Sequence, residues 1–93
     1  MSEARMAPYE RQRRQLHRLI DEVACQLQPV TVKLAREMVD ANEAAVALDL
    51  ISEMLADAGA LIKPTTFDEF QTLARELGLS PQSSERLRPL VQD

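Results

Sequence analysis

The chain holds one histidine, His17, and one cysteine, Cys25. These are the two side chains best suited to nucleophilic or redox work. Nucleophilic catalysis needs a nucleophile and a base within hydrogen-bond reach. His17 and Cys25 lie on one predicted helix, separated by a rise of about 12 Å, so within one chain they do not meet. The spacing places His17 at the flank of that helix's apolar stripe and Cys25 on the side away from it. A structural zinc site needs about four Cys or His ligands, more than the chain contains. No Gly-rich phosphate loop or EF-hand loop occurs. Carboxylates are plentiful, but a glycosidase-like pair needs a cleft that pushes two pKa values apart. A chain of 93 residues leaves little room for one. The expectation is a protein without catalytic residues, metal or cofactor, and hence not an enzyme.

One arrangement of carboxylates points to binding instead. Asp49, Glu53 and Asp57 recur every fourth residue, which stacks them along one side of a helix. Like charges at that spacing cost a few tenths of a kcal/mol per pair, and no Lys or Arg occurs between Glu43 and Ile62 to offset them. Val46 and Leu50 fall beside the row. Apolar anchors ringed by charge are common in interfaces. The candidate partner-binding set is therefore Glu43, Val46, Asp49, Leu50, Glu53 and Asp57. The plain alternative is a solvated helix face with incidental apolar neighbours.

The elements that carry these residues are legible from apolar spacing. Leu16, Leu19, Ile20, Val23, Ala24 and Leu27 follow the i, i+3, i+4, i+7 pattern and predict a first helix over 9–27, with Tyr9 on the same stripe and Pro29 marking its end. A second helix is predicted over 30–40. It carries two apolar stripes, Val30-Leu34-Met38-Ala41 and Val32-Ala35-Val39, the mark of a central or interfacial helix. Asn42 is a plausible N-cap for a third helix over 43–58, whose core stripe is Ala44, Ala47, Leu48, Ile51, Leu55 and Ala58. Gly59 suits its end. Leu61-Ile62 reads as a buried, extended connector, kept out of the next helix by Pro64. Thr66-x-x-Glu69 has the pattern of a capping box and predicts a fourth helix over 66–77, with Phe67, Phe70, Leu73, Ala74 and Leu77 facing inward. Beyond Ser80-Pro81, Pro89 forbids a long helix, so Leu87, Leu90 and Val91 are expected to pack from a short turn or broken helix.

Composition agrees. Two glycines and three aromatic residues, Tyr9, Phe67 and Phe70, suit an aliphatic helical core better than the many tight turns of a β domain. The expectation is an all-α compact bundle of four to five short helices forming a single domain over 1–93, with 1–8 a disordered N-terminal tail. The net charge of −4 argues against nucleic acid, whose affinity comes mainly from neutralised phosphates. The charge is uneven: seven basic and four acidic residues through Arg36 give +3, while four basic and eleven acidic residues from Glu37 onward give −7. An acidic face that meets a basic partner is one consequence. One cysteine forms no internal disulfide. The charged start lacks an apolar h-region, and no run approaches the ~20 apolar residues of a membrane span. A cytoplasmic location, with no nucleic acid and no membrane among the partners, is expected.

The run V-D-A-N-E-A-A-V-A-L-D-L-I-S-E-M-L, from Val39 to Leu55, resembles a recurring segment of the MafI-type immunity proteins, small helical antitoxins of bacterial polymorphic toxin systems. The parts that carry the resemblance are a helix end, a short acidic turn and Ala47-Leu48-Asp49-Leu50-Ile51, followed by Met54-Leu55. Leu61-Ile62-Lys63-Pro64, Thr66-Phe67-Asp68-Glu69-Phe70 and Leu77-Gly78-Leu79 extend it, so it covers about 30–91. Ala44 or Ala45 stands where that family usually has a small residue, often glycine, and an aromatic expected near the C-terminus is missing. The resemblance implies an antidote that binds and occludes a toxin domain, such as a nuclease with a basic substrate site. Two other readings stand beside it: a self-associating structural or adaptor module, with a homodimer in view, and a helix-turn-helix-like nucleic-acid-binding regulator, for which the fourth helix offers Gln71 and Arg75 but also Asp68, Glu69 and Glu76.

Overall fold

The computed structural model describes residues 8–92. Its elements are α1 (Pro8–Val23), α2 (Pro29–Asp40), α3 (Ala44–Ala58), α4 (Pro64–Glu76) and the single turn α5 (Gln82–Glu85), with 3-10 turns at Ala24–Gln26 and Arg88–Leu90. The fold is all-α, as composition and spacing led us to expect. Of the tail expected over 1–8, residues 1–7 lie outside the described residues, and Pro8 is already the first residue of α1.

Prolines open helices here. Pro8 starts α1, and Pro29 and Pro64 stand in the first turns of α2 and α4. A proline at the first helical position loses nothing, because that N–H has no intrahelical partner in any case. The residues ahead of Pro29 and Pro64 are extended, Gln28 at ψ 142° and Lys63 at ψ 149°, as the proline ring demands. Pro64 keeps Leu61 and Ile62 out of α4, as expected. One expectation changes: α4 starts at Pro64, two residues ahead of the start expected at Thr66, which lies inside the first turn. The Thr66 hydroxyl donates to Glu22 Oε1 at 3.1 Å and leaves no capping box with Glu69.

Helices α2, α3 and α4 end in one shared motif. The chain turns through a left-handed residue, Asn42 (φ 65°), Gly59 (φ 64°) or Gly78 (φ 77°). The next residue's N–H then reaches back to a carbonyl of the last turn: Glu43 to Met38 at 2.8 Å, Ala60 to Leu55 at 3.1 Å and Leu79 to Ala74 at 2.9 Å. This is the Schellman arrangement. Asn42 thus closes α2, and Glu43, not Asn42, stands at the N-cap position of α3 without a side-chain capping bond.

One core runs through the bundle. It takes Leu16, Leu19, Ile20 and Val23 from α1, Ala47, Leu48, Ile51 and Leu55 from α3, and Phe70 and Leu73 from α4, with Leu87 closing it from the C-terminal segment. Each such Leu, Ile or Phe stabilises the fold by roughly 1.5–3 kcal/mol of transfer free energy. From α2 only Ala35 and Val39 are buried, while Val30 is 70% and Leu34 44% exposed. Of the other apolar stripe, Val30, Leu34 and Ala41 are open to solvent, while Met38 packs against the core.

The connector before α4 is held from two sides. The Gln26 side-chain amide donates to the Leu61 carbonyl at 2.8 Å and accepts from the Leu61 N–H at 2.9 Å. Ile62 donates to Leu90 O at 3.0 Å and accepts from the Gln92 N–H at 2.7 Å. Ile62 is buried as expected, but Leu61 is 64% exposed, because extended backbone turns successive side chains to opposite faces. A second polar clasp joins α1 to α2. Arg36 donates to His17 Nδ1 at 3.1 Å, and His17 Nε2 meets Asp40 Oδ1 at 2.9 Å. Arginine has no acceptor, so His17 carries its proton on Nε2 and donates it to Asp40. Arg36 also pairs with Asp21, and Arg13 with Asp40 at 3.3 Å.

Candidate partner-binding face

Helix α3 turns Ala47, Leu48, Ile51, Ser52 and Leu55 into the core. The 100° step between residues then sets the opposite side. Val46, Leu50, Glu53 and Asp57 follow i, i+4, i+7, i+11 and form the outer stripe. Val46 is 53% exposed, Leu50 is half-buried, and Glu53 and Asp57 are exposed. Glu43, also exposed, stands just ahead of the stripe. Five of the six residues proposed from sequence thus remain available along one side of α3.

Asp49 differs. It lies to one side of the stripe, and the C-terminal segment packs beside it. The Ser83 hydroxyl donates to Asp49 Oδ1 at 2.8 Å, and Arg86 Nη1 stands 3.3 Å from the same oxygen. Arg86 Nη1 also donates to Ser52 Oγ at 3.1 Å, and Ser52 Oγ donates to the Asp49 carbonyl at 2.9 Å. The cation that 43–62 lacks therefore comes from residue 86. No local pattern reveals this, because 37 residues separate the partners. Among the described residues, no cation pairs with Glu43, Glu53 or Asp57.

The outer stripe is electrostatically unfavourable for the isolated chain. Glu53 and Asp57 repel at i, i+4 and sit in the C-terminal half of α3, where the helix dipole is negative. At the opposite end, Glu43 and Val46 border a shallow groove that also takes in Tyr9, Gln12, Asn42 and Leu77. Tyr9 was expected on the core stripe of α1. It is 48% exposed. At the other end, Asp57 and Met54 border a groove shared with Cys25, Leu27 and Thr31. Cys25 is exposed, as its helix position suggested.

Two further titratable clusters lie off this face. Asp40's carboxyl is held below the usual range, chiefly by its hydrogen bond to His17 and further by Arg13. Glu69's carboxyl is pushed up by desolvation and by the neighbouring Glu22 carboxylate. Among the described residues, no group of three or more His, Cys, Asp and Glu side chains is placed to hold a metal ion, and no helix is long and apolar enough to cross a membrane. No protein-family model matches the chain, and neither a curated protein nor a solved structure matches it.

Proposed function

We propose that the chain is a non-enzymatic protein-binding module and that the outer stripe of α3 is its contact surface. One observation carries this reading: Val46 stands 53% exposed on the same stripe as Glu53 and Asp57, two carboxylates that no cation of the described chain neutralises. A partner with a basic surface supplies the missing charge and covers the apolar side chains in the same step. Val46 and Leu50 act as the anchors, with Glu43, Glu53 and Asp57 around them. Asp49 is spent within the fold and serves to hold the C-terminal segment.

The partner class follows from the resemblance of 30–91 to the MafI-type immunity proteins. On that reading the protein is a cytoplasmic antidote, and the partner is a toxin domain whose basic substrate site, such as that of a nuclease, the acidic stripe occludes. The test is parallel affinity capture from host lysate with the wild-type chain and with a Glu53→Lys/Asp57→Lys variant, read by quantitative mass spectrometry. The proposal expects a basic protein retained in stoichiometric amount by the wild type and lost by the variant. Identical captures from both proteins overturn it.

A further inference from the structure

The exposed stripe of α2 has no role in the reading above. Val30, Leu34 and Glu37 stand at i, i+4, i+7, and Val46, Leu50 and Glu53 repeat the same residue types at the same spacing on α3. Both triplets lie on the open sides of their helices. Val30 is 70%, Leu34 44% and Val46 53% exposed, Glu37 and Glu53 are exposed, and Leu50 is half-buried. Helices α2 and α3 pack against each other more extensively than any other pair. They are joined by the tight turn through Asn42 and run antiparallel, since Thr31 near the start of α2 and Met54 near the end of α3 border one groove.

Antiparallel packing inverts one triplet against the other. The leucines fall in the middle of the hairpin, and the acids fall at its two ends: Glu37 with Glu43 near the turn, Glu53 with Asp57 at the far end. Of the two cations in α2, Arg36 turns to His17 and Asp21 of α1, and Lys33, exposed four residues before Glu37, flanks the row on its α1 side. The outer side of the hairpin thus carries two neighbouring apolar rows, Val30-Leu34 and Val46-Leu50, with Glu37 and Glu43 toward the turn and Glu53 and Asp57 toward the far end.

We infer that the α2–α3 hairpin receives a single amphipathic helix from the partner, one with Leu- or Ile-like side chains at its centre and Lys or Arg near both ends. Docking of an amphipathic helix matches its apolar spacing to such rows, and the end charges fix the register. Glu43 and Glu53 lie about 15 Å apart along α3, so the contacted part of the partner helix is about three turns long. The inference rests on the proposed function and adds the form of the partner element.

The probe is a synthetic Ala-based helical peptide of about 18 residues, long enough to hold helix in water. It carries lysines in its first and last turns and leucines at i, i+4, i+7 between them. The control has the same composition with the leucines spread around all faces. Binding is read by titration of amide chemical shifts on the wild-type chain, on Leu34→Glu and on Glu53→Lys/Asp57→Lys, each checked for unchanged helicity. Saturable shifts along α2 and α3, a control at least tenfold weaker, and a loss of tenfold or more in both variants support the inference. A loss in the Glu53→Lys/Asp57→Lys variant, with Leu34→Glu within twofold of wild type, overturns the inference and leaves the α3 reading standing. Wild-type binding by both variants overturns the two together. Concentration-dependent dimerisation of the free chain, abolished by Leu34→Glu and insensitive to the peptide, assigns the two rows to a second copy and overturns the inference as well.

Discussion

Arg86 closes on Asp49 across 37 residues of sequence, with Nη1 3.3 Å from the Asp49 carboxylate and 3.1 Å from the Ser52 hydroxyl. The contact fastens the C-terminal segment to the flank of α3 and removes Asp49 from the acidic row. Both side chains are partly exposed, at 33% and 42%, so solvent screens the ion pair. Removing the guanidinium also strips a donor from a buried serine. Arg86→Ala is expected to cost about 1 kcal/mol, read as a lower urea midpoint with unchanged slope. Asp49→Asn is expected to leave partner affinity within twofold, because its carboxylate faces Ser83 and Arg86. A larger loss of affinity returns Asp49 to the contact set.

The outer acids are expected to carry the opposite signature. Glu53→Lys and Asp57→Lys each remove a like-charge i, i+4 neighbour and place a cation toward the C-terminal end of α3. Each change should add roughly 0.3 kcal/mol to stability. Thermal unfolding of the two single variants checks this, since the double variant sets two lysines at the same i, i+4 spacing and restores the repulsion. Lost binding together with gained stability is the behaviour of a surface kept for a partner. A fall in stability means that these carboxylates have a structural role in the free protein.

The α2–α3 turn depends on a left-handed residue at 42. Asn42→Gly is expected to be neutral or slightly stabilising, whereas Asn42→Ala should cost about 1 kcal/mol. Gly59→Ala should cost a similar amount through backbone strain alone, since a Cβ there meets nothing within 4 Å. Denaturant midpoints of the three variants settle the point. Equal stability of Asn42→Ala and wild type contradicts the assigned turn.

Asp40 and Glu69 act in opposite directions with pH. Asp40's affinity for protons is lowered in the fold by His17, so its contribution is present above the unfolded carboxylate range and is lost as pH falls through the folded value. Glu69's affinity is raised by burial and by Glu22, so the fold gains stability as pH falls through its folded value and loses it again as pH rises. Glu69→Gln should therefore raise the unfolding temperature at pH 7 and narrow its advantage toward pH 4, while Asp40→Asn should lower it at pH 7 and matter least in acid. Parallel thermal melts across that range test both signs.

What sequence could reveal here followed interaction range. Apolar periodicity located α1, α3 and α4 and most of the core, because burial on one side of a helix imposes its period on the nearest residues. Pro29 and Pro64 marked the breaks between elements, but α2 and α4 begin at the prolines themselves, one and two residues ahead of the starts expected at 30 and 66. Asn42 looked like an N-cap because asparagine serves helix starts and left-handed helix ends alike. The two stripes of α2 were visible, but only packing decided that Ala35 and Val39 go inside while Val30 and Leu34 stay out. Of the candidate face, the outer stripe of α3 was legible. The capture of Asp49 by Ser83 and Arg86, and the mirrored triplet on α2, depend on the tertiary arrangement.

Whether the outer stripe of α3 meets a basic protein partner is read most directly from the affinity of the captured partner, by calorimetry at fixed ionic strength, for the wild-type chain and for Glu53→Lys/Asp57→Lys at equal helicity. Reversing both charges against a basic surface should weaken binding at least tenfold, about 1.4 kcal/mol or more. Affinities that agree within twofold place the contact elsewhere on the molecule and contradict the account.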